Sequence, residues 1–216
     1  MKSDFDILET AKQTIRTELR CIENLLNYVD DEFLKVIRLL FSCKGRVVVS
    51  GIGKSALIGS KIVATLNSTG TPSIFMHAAE AIHGDLGMIQ PEDVVICISK
   101  SGNTPEIKVL VPLLKARGNK LIAMVGNSDS YLAKSADLMV NCFVEKEACP
   151  NNLAPTSSTT AQLVMGDALA VCLLYCRNFT ANDFAKYHPG GSLGKRLYLR
   201  VSDLYPKNEK PIISKD

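Results

Sequence analysis

Several things are missing from this sequence, and each absence narrows what the chain can be. The opening Met1-Lys2-Ser3-Asp4-Phe5-Asp6 has no apolar core of the kind a secretory leader carries. No apolar run is expected to approach the ~20 residues of a membrane-spanning helix. The seven cysteines are odd in number and form no C-x-x-C pair, which argues against a disulfide framework and against a zinc site. Cys172 and Cys176 stand one helical turn apart within an apolar run, so the thiols are expected to be reduced core residues. A cytoplasmic location without membrane association follows as the expectation. Charge of one sign is not in excess either. The 25 Lys and Arg against 22 Asp and Glu leave a net +3, dispersed along the chain, and the segment before Gly45 has no basic recognition helix. No nucleic-acid partner is expected. Internal repeats and low-complexity stretches are also absent.

What is present is alternation. Phe5, Leu8, Ile15, Leu19, Ile22 and Leu26 recur at helical spacing, and a second amphipathic helix capped by Asp30 or Asp31 carries Phe33, Ile37, Leu40 and Phe41 up to Gly45. From there the pattern turns to strand then helix, repeated. Residues 46–50, 73–76, 93–99, 120–125 and 138–143 read as strands, with helices over 104–117, 131–136 and 158–176 among those between and after them. The last of these helices is apolar around most of its circumference and is expected to be buried in a core or between subunits. Such alternation predicts right-handed crossovers and a doubly wound three-layer α/β/α sandwich on a five-stranded parallel sheet, flavodoxin-like, preceded by two N-terminal helices. One domain over residues 1–204 and a loose polar tail over 205–216 are expected.

Sheets of this kind bind ligands beyond the carboxyl ends of their strands. After the first strand comes Gly51-Ile52-Gly53-Lys54-Ser55. A Walker A loop would need glycine where Val48 stands, and a dinucleotide fold would need a carboxylate at the end of the second strand, where Phe75-Met76-His77 stands instead. Nucleotide cofactors are therefore disfavoured. The remaining reading is a helix N-terminus that favours an anion, with Ser55 able to donate to it. The third strand is followed by Ser99-Lys100-Ser101-Gly102-Asn103-Thr104-Pro105-Glu106, and the fifth-strand loop ends in Thr156-Ser157-Ser158-Thr159-Thr160. Any one of these hydroxyl-rich helix starts could be plain capping. Three at one sheet edge point to a phosphorylated small molecule bound without metal.

Strand, then Ser99-x-Ser101-Gly102-x-Thr104, then helix resembles the sugar-phosphate loop of the SIS (sugar isomerase) domain family. The likeness extends to Gly51–Ser55, Ala81-Ile82-His83-Gly84-Asp85-Leu86-Gly87, Lys146-Glu147-Ala148-Cys149-Pro150, Leu153–Thr160 and His188-Pro189-Gly190-Gly191, and covers about residue 30 to Leu204. These segments together resemble the arabinose 5-phosphate isomerase branch of that family. The resemblance implies interconversion of D-ribulose 5-phosphate and D-arabinose 5-phosphate, a supply of Kdo for lipopolysaccharide or capsule, no cofactor, and a homotetramer with active sites between subunits. Many family members continue into a pair of CBS domains, and the sequence ends without one, so regulation through such domains is expected to be missing. The place of Lys100 more often holds an uncharged residue; here its side chain is expected to reach solvent.

Aldose–ketose isomerisation moves a proton between C1 and C2 through an enediol, which calls for a base, a group to polarise the carbonyl and an acid/base for the hydroxyl protons. The resemblance implies that Lys54, Glu106, Glu147 and His188 form this set. Glu147 is the expected carbon base, with burial raising its pKa toward neutrality. Lys54 would neutralise the enediolate or hold the phosphate, and Glu106 and His188 would serve as further acid/base groups. Gly53, Ser55, His83, Ser99, Ser101, Thr104, Thr156, Ser157 and Ser158 are the expected substrate contacts. A zinc site built on His83, His188 and a carboxylate is not something enediol chemistry requires. Isomerisation of a heptose or hexulose phosphate, and sugar-phosphate sensing without catalysis, remain the alternatives at this level.

Overall fold

A computed structural model describes residues 2–191 and residue 195. The chain divides after Asn178 into two compact units. In the first, five parallel strands, β1 (Val47–Gly51), β2 (Ser73–His77), β3 (Val94–Ser99), β4 (Lys120–Val125) and β5 (Leu138–Asn141), lie in the order β2-β1-β3-β4-β5. All neighbours pair in parallel, and β1 sits between β2 and β3 with Val49 level with both Phe75 and Ile96. The order reverses direction between β1 and β3, so the crevice of a doubly wound sheet falls there.

Alternation along the strands builds two cores. Val47, Val49, Val94, Ile96, Ile98, Ile122 and Met124 face one layer, while Val48, Val95, Cys97, Leu121, Ala123 and Val125 face the other. The first layer comprises α1 (Asp4–Asn24), α2 (Asp31–Ser42), α3 (Lys54–Ser68) and α7 (Ser157–Cys176); the second comprises the short α4 (Ala78–Ala81), α5 (Pro105–Ala116) and α6 (Tyr131–Ser135). Two 3-10 turns, Leu25–Tyr28 and Asp85–Met88, complete this unit. Asp30 caps α2 by accepting from the amides of Glu32 and Phe33, and the helix ends at Cys43 rather than at Gly45.

At the amino end of the sheet a polar cluster ties the incoming chains together. Asp93, 2% exposed, accepts from the Arg46 amide (2.7 Å), the Arg46 guanidinium (3.1 Å) and the Gln90 amide (2.9 Å). Burial would raise its carboxyl, but these donors together hold it below the usual aspartate range. Asn119 adds hydrogen bonds to the carbonyls of Gln90 and Asp93.

Three expectations need correction. The apolar stripe does not turn inward: Phe5, Leu8, Ile15 and Leu19 of α1, and Leu26 in the 3-10 turn after it, are all exposed, and the helix packs through Thr17 and Cys21 on another side. Among the described residues α7 is long and apolar enough to cross a membrane, with mean hydropathy 1.4 in its most apolar window. Its hydroxyls mask that character in the sequence, since Asp167 is its one charged residue. In this fold α7 packs against α3, α1 and α2, burying Ser157, Ser158 and Gln162 as well as Met165 and Leu169. The cysteines are unpaired, with Cys21, Cys97 and Cys142 in the core, but Cys176 is exposed.

The second unit contains α8 (Ala181–Tyr187), a helix the sequence reading did not anticipate. Thr180 and Asp183 form a reciprocal capping box at its start. His188 follows its last turn, stacked on Phe184. The domain boundary at Leu204 and the tail over 205–216 lie outside the described residues.

Candidate active site

The loops after β1, β3 and β5 meet at the carboxyl edge of the sheet, around a cleft of about 280 Å³ lined by Lys54, Ser55, Ser99, Lys100, Thr104 and Ser158, among others. That volume is near the lower end of ligand sites, roughly 300 Å³ and upward, and suits a small molecule. Three helices begin at this edge: α3 at Lys54, α5 at Pro105 and α7 at Ser157. The starts of α3 and α5 give the cleft an anion-favouring field, while the start of α7 already holds a carboxylate, that of Glu147.

Each loop is shaped by its own sequence. Gly53 caps α3 at φ 59°, a left-handed conformation that lets the chain turn directly from strand to helix. Lys54 is exposed at the cleft, while Ser55 donates to the buried Gln162 Oε1 at 3.1 Å. In the ligand-free chain the Ser55 hydroxyl proton is directed at Gln162, while Ser55 itself still lines the cleft. In the β3 loop Ser99 Oγ accepts from the Gly102 amide at 3.1 Å, which leaves its own proton to give. Gly102 sits at φ 64°, and its carbonyl accepts from the Leu132 amide at 3.0 Å, fixing the loop against the start of α6. Thr104 is the N-cap of α5, yet its hydroxyl makes no capping bond. That Oγ1 is buried and has no hydrogen-bond partner among the described residues.

Glu147 is the centre of the third loop. Its side chain is fully buried, 0% exposed. Oε2 accepts from the Thr156 amide (2.8 Å), the Thr156 hydroxyl (3.2 Å) and the Ser158 amide (3.1 Å), so this carboxylate satisfies the start of α7 that the N-cap Thr156 side chain does not. Oε1 accepts from the Ser158 hydroxyl (2.5 Å) and from Lys100 Nζ (2.6 Å). Burial pushes this carboxyl up, but Lys100, Ser158 and the two amides more than offset it and hold the pKa at about 2. The expected elevation toward neutrality is therefore corrected: sequence showed the burial but not the donors. Lys100 is corrected too, since its ammonium ends on Glu147 instead of in solvent.

The remaining predicted residues lie around or away from this cleft. Ser101 lines it. Ser157 is buried behind it with an unpartnered hydroxyl, and Glu106 is half-buried in the first turn of α5. His83 is exposed between α4 and the following 3-10 turn and is not among the lining residues. His188 belongs to the second unit, its Nδ1 3.0 Å from the Phe184 carbonyl. Among the described residues no group of three or more His, Cys, Asp or Glu comes together as a metal site. The sequence reading missed Gln162 and Thr159. Gln162 stands four residues after Ser158, just beyond the hydroxyl run that opens α7, and that spacing places both on one face.

A five-stranded parallel sheet in the order 2-1-3-4-5, with hydroxyl-rich loops around a small cleft at its carboxyl edge, defines a doubly wound α/β domain built to take a small ligand there. Residues 40–172 match the SIS domain family, and the chain belongs to it. It is 54% identical over 204 residues to arabinose 5-phosphate isomerase KdsD of Pseudomonas aeruginosa, covering 94% of this chain and 63% of the relative. It is 49% identical over 211 residues to arabinose 5-phosphate isomerase KpsF of Escherichia coli O6:H1, covering 97% and 64%. The chain thus spans somewhat less than two thirds of the length of these relatives. Among solved structures, an Escherichia coli CFT073 protein in complex with arabinose 5-phosphate superposes with a TM-score of 0.84 at 45% identity, covering 87% of this chain and all of the other.

Proposed function

We propose that the protein is an aldose–ketose isomerase interconverting D-ribulose 5-phosphate and D-arabinose 5-phosphate through an enediol. The observation that carries this reading is the convergence of three helix starts, Lys54, Lys100 and the unpartnered Thr104 hydroxyl on one small cleft. The names of the relatives support the substrate, because recognition of a particular phosphopentose is not legible in hydroxyl positions alone.

In this reading Ser99, Ser101 and Thr104 hold the phosphate at the start of α5. Lys54 faces the charge that develops on the enediolate oxygens. Glu147 is the carbon base, and Glu106 an acid/base for hydroxyl protons. His188 is assigned an acid/base role on the family resemblance alone. The reading extends to a cytoplasmic homotetramer with active sites between subunits, feeding Kdo synthesis for lipopolysaccharide or capsule. Association of copies is supported by the exposed apolar stripe of α1 and by the groove between α2 and α7 lined by Val29, Leu34, Val171 and Tyr175.

The test is isomerisation of D-ribulose 5-phosphate by metal-stripped protein, followed by phosphorus NMR beside Glu147→Gln. Accumulation of arabinose 5-phosphate with the wild type and not the variant is the expected result. Turnover of only heptose or hexulose phosphates would reassign the substrate, and binding without turnover of any sugar phosphate would leave a sensor.

A further inference from the structure

The two oxygens of Glu147 have different partners. Oε2 is committed to the start of α7 through three hydrogen bonds. Oε1 has two partners, Ser158 Oγ and Lys100 Nζ, and both of these residues line the cleft. Oε1 therefore lies directly behind the cleft wall, covered by an ammonium. The cover is less constrained than the carboxylate beneath it. Lys100 has a 49% exposed side chain on a flexible four-carbon stem, while its backbone is held by the Gly126 amide, which donates to its carbonyl at 3.0 Å. Lys100 is the charged side chain in contact with Glu147 among the described residues. From the start of α7 the carboxylate meets the amides and hydroxyls of Thr156 and Ser158, and Asn152 Oδ1 accepts from its backbone amide at 2.7 Å.

We propose that Lys100 is a cover on Glu147 that the bound sugar phosphate removes: the ammonium leaves Oε1 for an anionic oxygen of the substrate, and the uncovered Oε1 takes the carbon-bound proton. This rests on the isomerase reading above. A dianionic phosphate in the same cleft attracts the ammonium more strongly than a single carboxylate does, since Coulomb energy scales with the charge product at similar distance. In the step itself Oε1 takes the proton from C2 of the aldose, and the C–H electron pair becomes the C1–C2 double bond. The carbonyl pair passes to O1, the proton returns to C1, and the hydroxyl proton of O2 is transferred to O1. No oxidant or reductant is needed. The consequence is a base that is masked in the empty site and exposed only where substrate is present. Lys100 is a positioning residue in this account.

The experiment is carboxyl NMR of protein labelled with ¹³C-glutamate, with Glu147 assigned by its loss in Glu147→Gln. The probe is D-arabinitol 5-phosphate, which lacks the carbonyl and cannot turn over. In free wild type the Glu147 signal should stay ionised to the acid limit of the fold. With saturating probe its midpoint should rise by about 1–3 pH units, the amount by which a neighbouring opposite charge lowers a carboxylate. In Lys100→Met the midpoint should already be raised, and the probe should move it by less than it moves the wild type. The proposal is overturned if the probe shifts the amide signals of Ser101 and Thr104 while the wild-type Glu147 midpoint stays in place. It is overturned equally if Lys100→Met titrates as the wild type does. If the probe moves no amide in the cleft, the sugar-phosphate reading itself fails and the cover falls with it. Should the methionine variant not fold, Lys100→Gln, which keeps a polar side chain without the charge, takes its place.

Discussion

Thr104→Val is the substitution that most sharply separates binding from folding. Thr104 caps α5 in extended backbone, φ −63° and ψ 147°, a conformation that valine adopts without strain. The hydroxyl makes no capping bond and is buried without a partner among the described residues. In the ligand-free chain an unmet buried hydroxyl costs about 1–3 kcal/mol. Valine keeps the shape and removes that cost, so the variant should melt no lower than the wild type. Its melting point could rise by several degrees, since 1 kcal/mol moves Tm by roughly 2–4 °C at this chain length. With ligand bound the sign reverses. A hydrogen bond to a charged phosphate contributes about 1.5–3 kcal/mol, so its loss should weaken binding about 10- to 150-fold. Calorimetric titration with D-arabinose 5-phosphate beside a thermal melt reads both numbers. A lower Tm with unchanged affinity would refute the reasoning, because the hydroxyl would then be a structural group and the phosphate would lie elsewhere.

Glu147, held at about 2 in the fold against 4.5 for a free glutamate, contributes stability that is full above pH 4.5 and is lost as the pH falls toward 2. Urea melts at pH 6, 4 and 3 should therefore show a smaller acid loss in Glu147→Gln than in the wild type, from a lower starting point. Asp93→Asn leaves the Arg46 and Gln90 donors competing for a weaker acceptor, and should cost about 1–3 kcal/mol of stability, read by urea melts, with little change in KM for the folded fraction. Replacing Leu8, Ile15 and Leu19 together by lysine should shift sedimentation toward smaller species if the exposed face of α1 joins copies, and circular dichroism should be unchanged because none of the three is buried.

The architecture was legible because the buried strands are short β-branched runs and the breaks between them carry glycine or proline. Val47–Gly51 and Lys120–Val125 announce themselves by period and by residue type. The three hydroxyl-bearing loops were legible for the same reason, since each sits where a strand pattern stops and a helix pattern starts. What escaped was everything decided by distance across the fold. Nothing in Lys100 or Glu147 alone tells that two residues 47 apart form an ion pair, so a buried carboxylate read as a raised pKa proved to be a lowered one. The stripe of α1 was seen, but helical period says only that a face is apolar, not which surface covers it. α8 was missed because seven residues with one buried alanine give too little period to detect.

The composition of α7 changes along its length in a way that joins two ends of the molecule. Its first two turns bury Ser157, Ser158 and Gln162 beside the cleft, while its last two turns present Val171, Tyr175 and Cys176 outward. Twenty residues at 1.5 Å each make a strut of about 30 Å. An α-helix shortens or lengthens only by breaking hydrogen bonds, so the spacing between its two ends is set by its length. The same continuous helix therefore carries the donors that hold Glu147 at one end and an exposed apolar surface at the other.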